Sequence, residues 1–197
     1  MIIGITGGVG SGKSRILKIL HDDFNARIIL ADEVAHGLME PGAPGLNEVV
    51  RSLGSRFLKE DGSVNRPALA ELIFNNEKAR ETVNGIIHPM TCETICKEAR
   101  EAKEALVIIE TAIVEEKVHD ICQEIWYVYT SRENRILRLM ENRGYTREKC
   151  EAIMKSQWSD EQFRAVCQRE IDNNGTIEEA RAQIHSIVSR IGIKGLE

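Results

Sequence analysis

Short, β-branched and almost wholly apolar runs recur along this chain, separated by longer stretches in which apolar residues return every third or fourth position. The runs at 2–6, 27–30, 106–110 and 126–130 predict strands, with a weak fifth around 170–171. Most lack the polar alternation of a half-exposed strand, so they predict parallel strands covered on both faces. The helical patterns between them, beginning with Ile16-Leu17-Lys18-Ile19-Leu20, predict an α/β three-layer sandwich. No internal repeat, low-complexity tract or linker interrupts the pattern.

The spacing of the strands is uneven. The stretch from Leu30 to Leu106 is several times longer than the dozen or so residues a plain crossover needs. It predicts several helices. One begins near Pro44, and another follows the turn Glu60-Asp61-Gly62-Ser63 and is announced by Asn65 and Pro67. A third is expected over about 89–103. An insertion of this size predicts a lobe for a second substrate.

The first turn carries the sharpest chemistry. Gly7-Gly8-Val9-Gly10-Ser11-Gly12-Lys13-Ser14 fits Gly-x-x-x-x-Gly-Lys-Ser, after the strand Ile2-Ile3-Gly4-Ile5 and before a helix. Glycines let successive N–H groups point inward at phosphate oxygens, and the helix N-terminus adds unpaired donors. Lys13 supplies a mobile charge for the β- and γ-phosphates, and Ser14 a hydroxyl for Mg²⁺. A dinucleotide loop fails on spacing, because it would need glycine where Lys13 stands. The expected ligand is a nucleoside triphosphate.

Composition narrows the class. At 197 residues, 42% hydrophobic and 29% charged, the chain reads as one soluble domain or a core with an inserted lobe. A formal net charge of -5 argues against a nucleic-acid partner while leaving room for a local basic site. No signal segment is expected before the strand at Ile2, and no apolar stretch approaches a membrane span. The expected location is the cytoplasm, with the 5 cysteines reduced. His88, Cys92 and Cys96 recur every four residues on one helix face. Without a tight Cys-x-x-Cys pair, this stripe is expected to be packing rather than a metal site.

The segment 131–169 carries Arg132, Arg135, Arg138, Arg143, Arg147 and Arg164. Arg132 and Arg135 are expected on a solvated face. Arg138, Arg143 and Arg147 flank the turn Arg143-Gly144-Tyr145-Thr146, on a helical hairpin able to fold over phosphates. There an arginine would neutralise charge on the group in transit. Asp32 lies just beyond the second strand, at the edge where open α/β sheets bind ligands. It is a candidate base for an alcohol acceptor and equally a candidate N-cap. Glu110, ending the third strand, is a candidate for holding Mg²⁺ through water.

These residues converge on a family. Over essentially its whole length the chain resembles dephospho-CoA kinase: in Gly4 through Ser14, Ala31-Asp32, Glu40-Pro41-Gly42, Asp61-Gly62-Ser63-Val64-Asn65-Arg66, Ile73-Phe74, His88-Pro89, Gln157 and Ile171-Asp172-Asn173-Asn174-Gly175. The phosphate loop alone is common to many kinases; the ordered set is specific. The resemblance implies a single P-loop kinase domain: a core (about 1–40, 105–130 and 168–197), a helical acceptor lobe (about 41–104) and a helical lid (about 131–167). It implies ATP with Mg²⁺ as phosphate donor and the ribose 3′-hydroxyl of dephospho-CoA as acceptor; no obligate protein partner is evident from the sequence. It also implies Asp32, Lys13, Arg138 and Arg143 as catalytic. ATP would lie on Gly8, Val9, Gly10, Ser11, Gly12, Lys13, Ser14 and Arg15, with Asn174 and Gly175 near its adenine. The acceptor would meet Thr6, Asp32, Arg66 and His88.

The chain departs from the family's pattern in places. Leu30-Ala31-Asp32 keeps one of two usual aspartates, and Thr111-Ala112-Ile113 replaces a Pro-Leu-Leu element, favouring Glu115 over Glu110 as the equivalent acid. Arg15 and His36 stand where threonine and arginine are common, and Asn142 stands in the lid with Arg143 one residue late. Another P-loop nucleoside or nucleotide kinase, or a non-kinase P-loop ATPase, is the alternative. A switch GTPase would need an Asn-Lys-x-Asp motif, which the sequence lacks.

Overall fold

The structure is a computed structural model that describes residues 1–112 and 116–193. Five strands, β1 (Ile2–Thr6), β2 (Arg27–Leu30), β3 (Val107–Glu110), β4 (Glu124–Tyr129) and β5 (Arg169–Asp172), form one sheet in the order β2-β3-β1-β4-β5. β1 runs parallel to both β3 and β4, and β4 parallel to β5. The register sets Ile5 opposite Glu110 on one side and Trp126 on the other. The weak fifth strand is therefore real and forms an edge.

Burial explains the apolar runs. Ile3, Ile5, Ile108, Trp126 and Val128 have no exposed surface, as expected for strands sandwiched between helices. Each such side chain contributes roughly 1.5–3 kcal/mol of transfer free energy. Helix α1 (Lys13–Phe24) buries Ile16, Leu17, Ile19 and Leu20. The final helix buries Ala180, Ile184 and Val188 at four-residue intervals, and a Thr176–Glu179 capping box starts it. The chain divides into two compact units, Met1–Ile29 with Ala99–Glu197, and Leu30–Glu98.

The Leu30–Glu98 unit contains α2 (Ala31–Gly37), α3 (Pro44–Leu53), α4 (Arg66–Asn75) and most of α5 (Glu77–Glu101). Its core is Leu46, Val49, Phe57 and Ile87. Asp61 closes the turn before α4 by accepting hydrogen bonds from the Ser63 N–H (2.9 Å) and hydroxyl (2.6 Å). Asn65 then caps α4 by accepting from the Ala68 N–H at 3.2 Å.

The third helix of this stretch is longer than its sequence pattern predicts. α5 starts at Glu77, where Asn76 accepts from the Ala79 N–H at 3.0 Å, and Pro89 lies inside it rather than at its start. Pro89 withdraws one donor from the helical ladder and stands exposed, while Ile87, Cys92 and Ile95 are buried. Burial on the inner face carries the helix through the proline. The stripe His88, Cys92, Cys96 is split, with both thiols buried and the imidazole exposed.

In the other unit, α6 (Glu116–Ile121) precedes β4, and α7 (Arg132–Arg143), α8 (Arg147–Lys155) and α9 (Asp160–Val166) lie between β4 and β5. α10 (Ile177–Ile191) closes the fold. Two hydrogen bonds of 2.6 Å from Arg169 to the Glu124 carboxylate pin β5 to β4. That arginine holds the Glu124 carboxyl below its ordinary value, against the opposing effect of burial. A depressed carboxyl stabilises the fold above its unfolded value, about 4.3, and loses that contribution as pH falls through the folded value. Thermal melts of Glu124→Gln should therefore lie below wild type at neutral pH and converge with it below about pH 4. A gap of constant size down to the lowest pH would place the effect in packing.

Candidate active site

β1 is central, with β3 on one side and β4 on the other, so the chain reverses its direction of travel across the sheet there. Ligands of open α/β sheets bind beyond the carboxyl ends of strands at such a point. The loop from Gly7 to Gly12 emerges at that edge and feeds α1. Gly12 has φ 84°, a left-handed conformation, and a Cβ there would collide with the Asn173 amide. Lys13 bends back over the loop, donating to the Gly7 carbonyl at 2.8 Å and lying 3.4 Å from the Glu110 carboxylate. Ser14 is exposed, and its hydroxyl has no partner among the described residues.

The lid segment packs onto this loop through its own unit. Three donors converge on the Ser11 carbonyl: Thr130 Oγ1 at 2.9 Å, Asn173 Nδ2 at 2.7 Å and Arg138 Nη1 at 3.3 Å. Arg138 also donates to the Asn173 carbonyl at 2.7 Å. Arg15 reaches the Asn173 amide oxygen and the Gly175 carbonyl, each at 3.4 Å. Burial, and next the charge of Arg15, lower the Arg138 pKa. Neither arginine has a carboxylate within ion-pair distance among the described residues. Two uncompensated cations beside a ring of backbone donors are suited to a polyanion.

Asn174 is occupied in building the adjoining loop. Its side-chain oxygen accepts from the Ser131 N–H at 2.8 Å and Asn134 Nδ2 at 3.0 Å, and its amide donates to Asp172 at 2.6 Å. Thr6 is fully buried, with its hydroxyl 3.3 Å from the Ala112 carbonyl, so it supports the loop from beneath.

Comparison decides the family. The family model described as dephospho-CoA kinase matches residues 1–179. The chain belongs to the dephospho-CoA kinase family. The dephospho-CoA kinase of Carboxydothermus hydrogenoformans is 33% identical over 193 residues, 96% of this chain and 93% of that protein. That of Moorella thermoacetica is 35% identical over 190 residues, 94% and 89% of the two chains. The fold agrees with a solved dephospho-CoA kinase from Campylobacter jejuni at a TM-score of 0.72, with 20% identity and coverage of 100% and 98%. The α/β three-layer P-loop kinase architecture is thereby established.

Several expectations need correction. Arg135 is not on a solvated face: it is 7% exposed, and its Nε donates to the Val9 carbonyl at 2.8 Å. The sequence held the signal, because Arg135 lies on the same helical face as the buried Ile136 and Leu139. Arg132 does point outward and pairs with Glu151 at 2.8 Å. Asp32 is not an N-cap. Leu30 occupies that place, and Asp32 stands exposed in the first turn of α2, where its charge suits the helix dipole.

Of the three hairpin arginines expected over the phosphates, only Arg138 touches the loop. Arg147 forks onto Glu133 at 3.2 and 3.0 Å, and Arg143 is exposed without a partner among the described residues. Asn142, at the usual place of a lid arginine, donates back to the Arg138 carbonyl at 2.8 Å. Arg66 and His88 are exposed on α4 and α5 of the Leu30–Glu98 unit, which also carries Asp32. Glu115 lies outside the described residues. Thr130, Asn173 and Gln157 are the site-building residues that the sequence did not assign.

Proposed function

We propose that this enzyme transfers the γ-phosphate of ATP to the ribose 3′-hydroxyl of dephospho-CoA, giving coenzyme A and ADP in the cytoplasm. The observation that carries the reading is a complete phosphate loop ringed by Lys13, Arg15 and Arg138 in a chain of this family. Backbone N–H groups of Gly10, Gly12, Lys13 and Ser14 receive the phosphates, while that of Val9 is held by Gln157 and that of Ser11 by the Gly8 carbonyl. Lys13 leaves the Gly7 carbonyl to neutralise the β- and γ-oxygens. The Ser14 hydroxyl, unpartnered among the described residues, with Glu110 at the end of β3, fits a Mg²⁺ site. Bound there, the ion would neutralise charge between the β- and γ-phosphates.

Asn174 and Gly175 form the wall near the adenine. Asp32 takes the proton of the 3′-hydroxyl as its oxygen bonds to phosphorus and the bond to ADP breaks. Arg66 and His88 hold the acceptor, in the lobe inserted into the core's sequence, and the lid segment serves the donor. No nucleic acid, membrane or protein partner takes part, and no helix among the described residues is long and apolar enough to cross a membrane.

The test is an ATP-dependent phosphorylation assay on dephospho-CoA, adenosine and nucleoside monophosphates. Turnover confined to dephospho-CoA is expected; preference for a monophosphate would replace the reading with that of a nucleotide kinase. A finer assay separates the hairpin arginines. Arg143→Ala should lower kcat on the order of 10² with a smaller change in KM, as for a donor acting on charge in the transition state. Arg147→Ala, whose fork Glu133 already engages, should leave kcat within about twofold. Equal kinetics for both variants would leave charge neutralisation to Lys13, Arg15 and Arg138.

A further inference from the structure

Two residues outside the phosphate loop grip it by a single peptide segment. Gln157, in the connection between α8 and α9, accepts through one oxygen from the Val9 N–H and from Arg135 Nη2, each at 3.0 Å. Arg135, on α7, returns to the same residue by donating to the Val9 carbonyl at 2.8 Å. Both polar groups of the Val9 backbone are thus consumed by side chains from the lid segment. The Arg135 guanidinium also lies against the Gly8 Cα, where an added Cβ would overlap it. Gly8 is consequently a glycine for reasons of contact.

The clamp is electrostatically unusual. Arg135 is buried, yet among the described residues no carboxylate lies within ion-pair distance of it. The influences that oppose burial come from Tyr127 and then Asp160, whose carboxylate accepts the Tyr127 hydroxyl at 2.7 Å. Burial pushes the Arg135 pKa down, and Tyr127 and Asp160 only partly offset this. An unpaired buried cation costs stability, so its retention points to a role that offsets the cost. Here its Nε and Nη2 bonds end on the loop and on the residue that holds the loop.

We infer that Arg135 and Gln157 are positioning residues for the donor, fixing the peptides on either side of Val9 in their nucleotide-receiving shape and keeping an uncompensated positive charge beneath the loop. The inference rests on the kinase reading, since it assigns these residues to ATP rather than to the acceptor. Gln157 governs both effects, which makes it the place to separate them. Gln157→Met keeps the length of the side chain and removes the acceptor. Gln157→Glu keeps the acceptor and adds a carboxylate that neutralises Arg135.

Calorimetric titration of the full-length variants with ATP, without acceptor, is the deciding measurement, alongside thermal melts and the KM for dephospho-CoA. Gln157→Met should weaken ATP about tenfold, the equivalent of one lost hydrogen bond in the binding-competent loop. Gln157→Glu should weaken ATP by a similar factor while melting no lower than wild type, because its fold gains an ion pair. The KM for dephospho-CoA should stay within about twofold in both. A purely structural clamp would instead give Gln157→Met a lowered melting point with wild-type ATP affinity, and Gln157→Glu no loss of affinity at all. Wild-type affinity in both folded variants overturns the inference. Because the titration involves only ATP, that result would leave the acceptor assignment standing, whereas a change of acceptor in the turnover panel would leave the clamp standing.

Discussion

Lys13→Ala should abolish measurable turnover while the protein remains folded. Lys13 opens α1 and is not one of the residues that helix buries, which are Ile16, Leu17, Ile19 and Leu20, so truncation leaves the apolar core in place. Its Nζ instead lies within reach of the Gly7 carbonyl and the Glu110 carboxylate. Once ATP is bound, that ammonium meets charge that grows on the γ-phosphate as the bond to ADP lengthens. Such preorganised charge is worth far more in the transition state than in the ground state. The loss should therefore fall on kcat by at least the 10²–10³ typical of one electrostatic donor. Removing the lysine also leaves Glu110 facing the phosphates without its counter-charge, which adds repulsion to the loss. Circular dichroism and a wild-type-like melt would establish the fold, and a coupled ADP-release assay the rate. Near-normal turnover by well-folded Lys13→Ala would sink the phosphate-loop mechanism.

The phosphate loop was legible because its chemistry is local: turn, lysine and helix start are consecutive residues, and their order dictates their geometry. The strands were legible for a related reason. Residues 125–128 are buried on both faces, and such burial leaves a continuous apolar run. What the sequence concealed lies in contacts across long separations. Thr130 and Asn173 serve a carbonyl at Ser11, and nothing near either residue announces that partner. Arg135 was misread because a charge in an arginine-rich helix is ordinarily solvated; the register of Ile136 and Leu139 would have turned it inward. Pro89 misled in the opposite direction, as a start signal that side-chain burial along α5 overrode. Local rules gave way where tertiary burial supplied more free energy than the rule costs.

Asp32→Asn should cut kcat by about 10²–10⁴ with little change in ATP affinity, the range for losing a positioned general base. The structure makes this substitution a cleaner test than its sequence position promised. Asp32 does not cap α2, since Leu30 holds the N-cap place and no side-chain cap bond forms. Its carboxylate is exposed in the first helical turn, so the fold draws on it only through a screened interaction with the helix dipole. Asparagine keeps the shape and a hydrogen-bonding oxygen, but its amide does not take up a proton at neutral pH. The 3′-hydroxyl can then be held in place without being deprotonated as it attacks. Binding of both substrates should survive, the melt should shift little, and the rate should collapse. A second measurement reaches the same atom from the substrate side. An acceptor lacking only the 3′-hydroxyl should bind, compete with dephospho-CoA and never receive phosphate. Phosphorylation of that analogue at another position would overturn both the base assignment and the regiochemistry. Wild-type turnover by Asp32→Asn would move the proton acceptor elsewhere.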